Sequence, residues 1–404
     1  MLYRAGAAVC FYYEDLWSGN DEERDLVEKE NQMQKVAVVK CTGYEDIKDR
    51  IKEAIGLIGG FEPKGNVVIK PNAGSPLSPK RAANTHPAIV SAVVELVRDH
   101  CSEVIVVESE AIAAPAKVCL EKSGIKEAVL KSGGELRILD DDPKINVKID
   151  GKRLKEIKLP KTIVDCDTLI DIPKLKTNSF TLLSLGIKNL MGLLDRTDRN
   201  KIHRSEISQA LVDVLKVTKP DLTIVDGVCA MEGQGPVFGD AIDLGLLIAG
   251  SDIVATDAVS SHVSGFFPEE VDTTRIAAWE GIGICDLEKI KVVGSKIEDV
   301  KIVFRRPLST IEAVFPNVDA YVGCVCKGCY DPLMVTFDGL RLRGKLKKMG
   351  KVTVIMGKDA PVPDSFGDKT FIVGDCAKKH KDSGVFIGGC PPLKELFKIN
   401  FDEV

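Results

Sequence analysis

Three cysteines stand within six residues in the C-terminal part of the chain, in the stretch GCVCKGCYDP that begins at Gly323. Two more, Cys376 and Cys390, follow, whereas the other seven of the twelve cysteines are isolated along the chain. Because no secretion signal accompanies them, we expect a reducing compartment in which cysteines stay as thiols. A cluster of thiols in such a compartment is more often a metal site than a disulfide framework.

The spacing of these five thiols favours a shared metal site. Cys376 follows the predicted strand TFIVG and Cys390 follows GVFIGG, so parallel strands would bring both to one carboxyl edge, where ligands collect. Four thiolates suit an iron–sulfur cluster or a tetrahedral zinc ion. We expect an iron–sulfur cluster of the 4Fe-4S type, with zinc or no metal as alternatives. The expected ligands are Cys326, Cys329, Cys376 and Cys390, and Cys324 is an alternate ligand or a reactive thiol.

A second set of candidate residues lies in DIPKLKTNSFTLLSLGIKNLMGLLDRTDRNKIHR, residues 171–204. Its lysines, asparagines and histidine follow a predicted strand and are Lys174, Lys176, Asn178, Lys188, Asn189 and His203. Cations at the end of a strand and before a helix favour an anion site. Lys188 stands among apolar residues, where a lysine either extends to the surface or has a function. The ordinary alternative for all these lysines is exposure to solvent.

Three more polar loops follow predicted strands. VVIKPNAGSP carries Lys70 and Asn72, and AGSDIVATDAVSSH carries two aspartates. The glycine-rich stretch DGVCAMEGQGPVFGD, residues 226–240, reads as a loop that presents acidic side chains and close backbone amides. It matches neither the dinucleotide fingerprint nor the phosphate-binding P-loop, so a nucleotide is not indicated.

Together these loops predict a cleft that binds a small carboxylate or phosphate. The expected binding residues are Lys70, Asn72, Lys174, Lys176, Asn178, Asn189, Gly233 and Gly235. The residues expected to move a proton are Lys188, His203, Asp226 and Glu232. We favour an iron–sulfur enzyme or redox protein that acts on such an anion. A non-enzymatic electron or cluster carrier and a binding module with structural zinc remain open alternatives.

Short apolar runs rich in β-branched residues alternate with helical patterns. Strands are predicted at 35–40, 66–70, 103–108, 167–172, 222–227 and 244–250, and helices at 46–58, 87–100, 181–194, 206–217, 253–264 and 273–281. Continuous hydrophobicity indicates strands buried on both faces, so we expect an α/β fold with mostly parallel sheets covered by helices. The expected units are a loose extension at 1–33, an α/β domain at 34–315 and a smaller α/β cysteine-cluster unit at 316–404.

Composition excludes several classes of partner. The net charge of −5 offers no basic footprint for nucleic acid. No apolar run approaches the roughly 20 residues that span a bilayer, and acidic residues follow the N-terminal apolar patch at once, which argues against a signal peptide. We therefore expect a cytoplasmic protein whose partners are a small anionic molecule and, for the redox alternative, another protein.

The ordered motifs VVIKPNAGSP, IDIPKLKTNSFTLLSLGIKNLMGLL and DGVCAMEGQGPVFGDAIDLGLLIAGSDIVATDAV resemble the domain of unknown function 362 family, from about Met33 to residue 290. Many members of that family are described as iron–sulfur proteins, which the resemblance implies here. Relatives often carry His where this chain has Asn178, so the resemblance does not extend a metal or proton-transfer role to that position. Lys188 and His203 are also similar to the nickel-pincer lactate racemase group, which implies a 2-hydroxy-acid-like anion and chemistry at its α-carbon.

Overall fold

The computed structural model describes residues 33–111, 114–203, 206–307, 310–325, 327–392 and 395–396. The predicted extension at 1–33, apart from its last residue, and Cys326 lie outside the described residues. The strands are β1 (Gln34–Lys40), β2 (Asn66–Pro71), β3 (Glu103–Glu108), β4 (Glu135–Ile138), β5 (Lys144–Lys148), β6 (Glu156–Pro160), β7 (Thr168–Ile172), β8 (Lys174–Asn178), β9 (Leu182–Ser184), β10 (Leu222–Glu232), β11 (Asp240–Gly250), β12 (Ile290–Gly294), β13 (Val318–Val322), β14 (Val352–Met356), β15 (Lys369–Val373) and β16 (Val385–Ile387).

Helices connect these strands and cover the sheets. They are α1 (Ile47–Leu57), α2 (Pro87–Val97), α3 (Ala116–Lys122), α4 (Ile125–Ser132), α5 (Lys161–Val164), α6 (Gly186–Asn189), α7 (Arg196–His203), α8 (Ile207–Leu215), α9 (Ile253–Val263), α10 (Asp272–Trp279), α11 (Ile311–Val314), α12 (Lys327–Leu342) and α13 (Lys345–Lys348). Among the residues described, no helix has both the length and the hydropathy needed to span a membrane.

The larger sheet has ten strands, and its main path runs β12-β1-β11-β10-β7-β2-β3-β4. Neighbouring strands are parallel except where β11 pairs with β1 and β10, and where β8 pairs with β9. Val67 and Ile69 of β2 join the core beneath α1 and α2, whereas Val68 between them joins the core on the opposite face. This period-two alternation with burial on both faces confirms the predicted helix-covered α/β sheet.

A smaller sheet in the order β13-β14-β15-β16 is parallel throughout. Phe371 of this sheet packs against Phe337 of α12 in an edge-to-face contact with ring centroids 5.9 Å apart. The C-terminal α/β unit predicted from the sequence is therefore present. The first of its strands, β13, is not among the strands predicted from the sequence, because a five-residue strand between polar segments has a weak pattern.

Two predicted elements are wrong. The helix expected at 181–194 is instead β9, the short α6 and a 3₁₀ turn at Leu190–Leu193. The stretch 226–240 is not one loop, since β10 continues to Glu232 and returns as the antiparallel β11. In both cases tertiary pairing with neighbouring strands outweighs local propensity, because β9 pairs with β8 and β11 lies between β1 and β10.

Candidate functional site

Lys70, the penultimate residue of β2, forms a buried ion pair with Glu108 at the end of the neighbouring strand β3. Its Nζ lies 2.9 Å from Oε2 of Glu108 and also donates to the carbonyl of Pro71. The same Oε2 accepts a hydrogen bond from the backbone N–H of Ala73 at 2.9 Å. A Cβ added at Gly192 would lie 2.5 Å from Cε of Lys70, so the 3₁₀ turn packs directly on this pair. Lys70 therefore neutralises a buried carboxylate, and its predicted ligand contact stays a prediction.

Lys174 is likewise committed to a buried carboxylate. Its Nζ donates to Oδ2 of Asp226 at 2.8 Å, and the hydroxyl of Tyr44 donates to Oδ1 at 3.0 Å. The backbone N–H of His86 adds a third hydrogen bond to Asp226 at 2.8 Å. The Tyr44 and His86 rings stack with centroids 3.6 Å apart, and burial lowers the pKa of His86 to about 4. Asp226 therefore joins β10, β8 and α2 through these hydrogen bonds, and its proton-transfer role remains a prediction.

Lys176 has a different environment although it is only two residues further along β8. Among the residues described, its Nζ donates to two neutral oxygens, Oδ1 of Asn72 at 2.9 Å and the carbonyl of Ala83 at 2.5 Å. Burial, followed by the charges of Lys174 and Lys188, lowers the pKa of Lys176 to about 7. A lysine in this state exchanges its proton near neutral pH, as a general acid or base must.

A chain of side-chain amides fixes the position of Lys176. Nδ2 of Asn72 donates to Oδ1 of Asn189 at 3.0 Å, and Nδ2 of Asn189 donates to Oδ1 of Asp171 at 2.7 Å. Burial raises the pKa of Asp171 well above its ordinary value, and its Oδ2 has no hydrogen-bond partner within the described chain. Asn72 therefore holds Lys176 directly, and Asn189 holds Asn72. Both asparagines were predicted to bind the ligand.

Lys188 lies on α6, whose N-terminus is capped by a buried carboxylate from another helix. Asp257 of α9 accepts hydrogen bonds from the backbone N–H groups of Gly186 at 2.8 Å and Ile187 at 3.0 Å, and burial raises its pKa to about 7. Nζ of the half-buried Lys188 lies 3.1 Å from Sδ of Met191. The charge of Lys188 acts on Lys176, which brings these two sequence-predicted lysines into one electrostatic cluster.

Of two further predicted site residues, Asn178 has a structural role and the side chain of His203 cannot be placed. Asn178 closes the turn between β8 and β9, since its Nδ2 donates to Oγ of Ser184 at 2.8 Å and its Oδ1 accepts from the Phe180 N–H. His203 ends α7, but its side chain lies outside the described residues. Their predicted roles therefore stay predictions.

Glu232 and Gly233 of the 226–240 stretch contact Arg305, which lies beyond β12. Glu232 accepts hydrogen bonds from Nε of Arg305 at 2.6 Å and from its backbone N–H at 2.9 Å. Hydrogen bonds and charges of Asp240 and Glu232 raise the pKa of Arg305. The carbonyl of Gly233 accepts from Oγ1 of Thr177, and the carbonyl of Gly235 accepts from Oγ of Ser179. These contacts attach the β10–β11 connection to β8.

The cysteines of the C-terminal unit lie at the carboxyl edge of its sheet, as predicted from the strand ends. Cys324 follows β13, Cys376 follows β15, Cys390 follows β16, and Cys329 lies in the first turn of α12. A Cβ added at Gly374 would lie 2.6 Å from Sγ of Cys329, so that sulfur packs on the backbone just before Cys376. Cys329 is buried and the other three are exposed, and none of the described cysteines forms a disulfide.

Over the described ranges, which exclude Cys326, no three His, Cys, Asp or Glu side chains are placed to share a metal ion. The edge nevertheless combines soft thiolate donors with glycine backbone at close approach, which is the donor chemistry of an iron–sulfur or zinc site. The metal ligands remain a prediction.

A cavity of about 280 Å³ lies at the other end of the large sheet. It is lined by residues that precede or begin β7 and β10, among them Cys166, Leu169 and Asp221. Lys70, Lys174, Lys176 and Lys188, here called the lysine cluster, lie toward the carboxyl ends of the strands of this sheet. This cavity is therefore separate from the lysine cluster. Burial raises the pKa of the Cys166 thiol to about 11, which makes it a weak nucleophile at neutral pH.

Comparisons with known proteins match the larger sheet. The profile of a family described as domain of unknown function (DUF362) matches residues 67–262. The thylakoid-associated protein sll1697 of Synechocystis sp. strain PCC 6803 is 30% identical over 246 residues, which are 57% of this chain and 73% of that protein. The matched residues contain β2 to β8, α6 and α9, and therefore the whole lysine cluster.

Two solved structures are similar at low sequence identity. The lactate racemase apoprotein from Thermoanaerobacterium thermosaccharolyticum has a TM-score of 0.39 and 13% identity, over 58% of this chain and 58% of that chain. A structural-genomics protein from Thermotoga maritima has a TM-score of 0.34 and 13% identity, over 58% and 59% of the two chains. This chain thus spans less than two thirds of either protein.

Proposed function

Since the chain belongs to the domain of unknown function 362 family, whose name assigns no reaction, we propose its function from the chemistry of its own residues. We propose that the large sheet binds a small carboxylate or phosphate beside Lys176 and Lys188, and that Lys176 takes up or releases a proton there. The observation that carries this proposal is the buried ammonium of Lys176, which donates only to neutral oxygens among the described residues while other cations surround it.

The neighbouring lysines explain why an anion would bind here. Lys70 and Lys174 have carboxylate partners at 2.9 and 2.8 Å, so their charges are already balanced. The charge of Lys176 is balanced by no carboxylate hydrogen bond, and Lys188 adds to the positive potential around it. An anion placed beside Lys176 therefore gains favourable Coulomb energy in a poorly solvated site. It also raises the pKa of Lys176, because an opposite charge favours the ammonium form.

The same environment supports proton transfer. Without a ligand the pKa of Lys176 is about 7, and the bound anion raises it. Once the pH exceeds this raised pKa, the amine is neutral and can accept a proton from an acidic C–H or O–H of the bound anion. The broken bond leaves its electron pair on the substrate, where the charge of Lys188 stabilises it. Asn72 holds the lysine in place during the transfer, since its amide bonds to both Lys176 and Asn189.

For the C-terminal unit we propose an iron–sulfur cluster held by Cys326, Cys329, Cys376 and Cys390, with Cys324 as an alternate ligand and zinc as the alternative metal. The support is the placement of the described thiols at one sheet edge and the packing of Cys329 Sγ on Gly374. When bound, such a cluster supplies one-electron transfer. The proposal includes two units, 34–315 and 316–404, in a cytoplasmic protein.

A second candidate function, an electron or cluster carrier, is favoured by exposure. Cys376 is exposed at the start of a 3₁₀ helix, Asp375–Ser383, that also exposes Lys378, Lys379 and Lys381. A group bound at this edge would face solvent beside these lysines and the exposed Asp375 and Asp382, and the lysines would suit contact with an acidic protein partner. In that case the lysine cluster of the large sheet would not be needed for the transfer.

Anion binding to purified protein tests the first proposal. We expect acetate or inorganic phosphate to bind with proton uptake at pH 8, and binding to weaken as the pH rises above 7, because the ammonium form of Lys176 is lost. Calorimetry in buffers of different ionisation enthalpy measures both effects. Lys176→Met should reduce the affinity by about tenfold or more, whereas the exposed control Lys117→Met should not change it. Equal binding by the two variants would contradict the proposal.

A further inference from the structure

Arg199 on α7 is a buried cation that takes no part in the proposed proton transfer. Its side chain is 7% exposed, and its Nε and Nη2 have no hydrogen-bond partner within the part of the chain that the structure describes. A guanidinium cannot shed its proton at physiological pH, so it cannot escape burial by becoming neutral. A buried and unpaired donor of this kind is costly, and native structures rarely keep one without a partner.

The acidic groups around Arg199 are hydrogen-bonded to other atoms. Burial lowers the pKa of Arg199, and the charges that oppose this shift come first from Glu108 and then from Asp140. Glu108, however, accepts hydrogen bonds from Lys70 and from the backbone N–H groups of Ala73 and Ser109. Asp140 accepts from the backbone N–H of Glu110 at 2.6 Å. These carboxylates lower the energy of the cation from a distance and leave its donors open.

The position of Arg199 relates it to the lysine cluster. Glu108, whose charge acts most strongly on Arg199, is the ion-pair partner of Lys70, so the charges of both cations act on one carboxylate. Glu108 and Lys70 also act on Lys176 through their charges. The 3₁₀ turn that packs on the Lys70–Glu108 pair leads directly into α7. One continuous segment, residues 186–203, therefore carries both Lys188 and Arg199.

The two open donors have a shape that selects their ligand. Nε–H and Nη2–H point to the same side of the planar guanidinium and form a fork that binds both oxygens of one carboxylate. We propose that Arg199 binds a second anionic group of the ligand whose first anionic group lies beside Lys176. The substrate class is then a small dicarboxylate rather than a monocarboxylate. This inference rests on the proposed anion site and adds to it the identity of the second binding residue.

Calorimetric titration of the full chain with acetate, malonate and succinate at equal ionic strength tests the inference. In the unmodified protein we expect a dicarboxylate to bind about tenfold or more tightly than acetate. Arg199→Met should reduce this preference to less than about threefold and keep the acetate binding that is coupled to proton uptake by Lys176. The exposed control Arg153→Met should keep the full preference.

The outcomes separate the two proposals. If acetate binds but dicarboxylates have no advantage, or if the preference survives in Arg199→Met, the inference is wrong while the anion site stands. If none of the three probes binds the unmodified protein, both fail. Loss of acetate binding together with dicarboxylate binding in Arg199→Met would also overturn the inference, since Arg199 would then act on the first site.

Thermal unfolding without ligand distinguishes a binding role from a structural one. Replacing an unpaired buried charge by an apolar side chain of similar volume should leave the melting temperature unchanged or raise it. Arg199→Met is therefore expected to be at least as stable as Arg153→Met relative to the unmodified protein. A clear fall in its melting temperature would show that Arg199 supports the fold through a partner, and would overturn the inference.

Discussion

Lysines of the same sequence segment differ in what they do because their partners differ. Lys174 lies 2.8 Å from the buried carboxylate of Asp226, whereas Lys176, on the same strand, donates to an amide oxygen and a carbonyl. Lys70, on another strand, is paired with Glu108. Pairing preserves the charge of a buried lysine, while desolvation without a counter-ion removes it. This difference is the reason that we propose the proton chemistry for Lys176, which the sequence suggested only as a binding residue.

The pKa of Lys176 predicts how stability depends on pH. The group has a pKa of about 7 in the folded protein and roughly 10.4 in an unfolded chain. Between these values the unfolded state binds more protons, so the free energy of unfolding rises with pH, by at most about 1.4 kcal/mol per unit. Lys176→Met should remove this rise. Urea unfolding of both proteins at pH 7, 8, 9 and 10 measures the difference, and parallel pH profiles would contradict it.

The Lys70–Glu108 pair predicts a large loss of stability on truncation. Lys70→Met leaves the Glu108 carboxylate buried with backbone donors alone, and we expect the free energy of unfolding to fall by about 3–5 kcal/mol. Lys131→Met, which removes an exposed pair with Glu127, should cost less than about 1 kcal/mol. Urea unfolding at pH 7 compares the two. Similar losses would mean that Glu108 finds other partners.

At the scale of elements, the ends of the strands determine where the charged residues and the cysteines lie. Lys70 and Glu108 lie at or next to the ends of β2 and β3, and β7 leads into β8, which carries Lys174 and Lys176. Parallel strands align these ends at one edge, so residues distant in sequence become neighbours. The smaller sheet repeats this principle with cysteines after β13, β15 and β16. The element boundaries, more than the residue types, therefore determine which side chains meet.

Gly374 tests whether the cysteine edge of the smaller sheet is built for a bound metal. Gly374→Ala would place a Cβ 2.6 Å from Sγ of Cys329 at a φ of +85°, which displaces the sulfur. Gly344→Ala introduces an equally unfavourable φ of +67° with open space around it, and both should cost about 1–2 kcal/mol in backbone strain. We expect only Gly374→Ala to lose bound metal, measured per chain after anaerobic purification. Equal metal content in the two variants would show that Gly374 does not affect metal binding.

At the scale of the whole molecule, two sheets carry two different chemistries. The larger sheet holds the cations of the proposed anion site, and the smaller sheet holds the thiols of the proposed metal site. In the carrier alternative only the smaller sheet is active. A metal assay that includes variants of both sheets therefore tests how the functions are divided.

Anaerobic purification followed by iron, sulfide and zinc analysis is the corresponding measurement. We expect roughly four iron and four sulfide per chain if the cluster is of the 4Fe-4S type. Cys376→Ser should lower the iron and sulfide content. Cys101→Ser and Lys176→Met should keep it, since Cys101 is an isolated cysteine just before β3 of the larger sheet and Lys176 lies in that sheet. About one zinc without sulfide would support the structural alternative. Iron loss in Lys176→Met would contradict two separate sites.

The sequence by itself determined the α/β class, the parallel C-terminal strands and the placement of the cysteines after strand ends. These depend on local patterns, namely apolar period and length, that are read within a few residues. It misassigned 181–194 as a helix and 226–240 as a loop, because strand pairing outweighed helical periodicity and a glycine-rich composition. Family membership likewise followed from ordered motifs within one stretch of chain.

Only the tertiary structure decided the state of each charged group. Lys70 and Glu108 are 38 residues apart, Lys174 and Asp226 are 52 apart, and Tyr44 reaches Asp226 across 182 positions. Whether a lysine is paired or left with neutral acceptors depends on which strands end side by side, and no local pattern encodes that. Arg199 shows the limit most clearly, since no local pattern encodes its burial or its open donors. Desolvation and partner geometry are collective properties of the fold, so the state of a charged group depends on the whole tertiary structure.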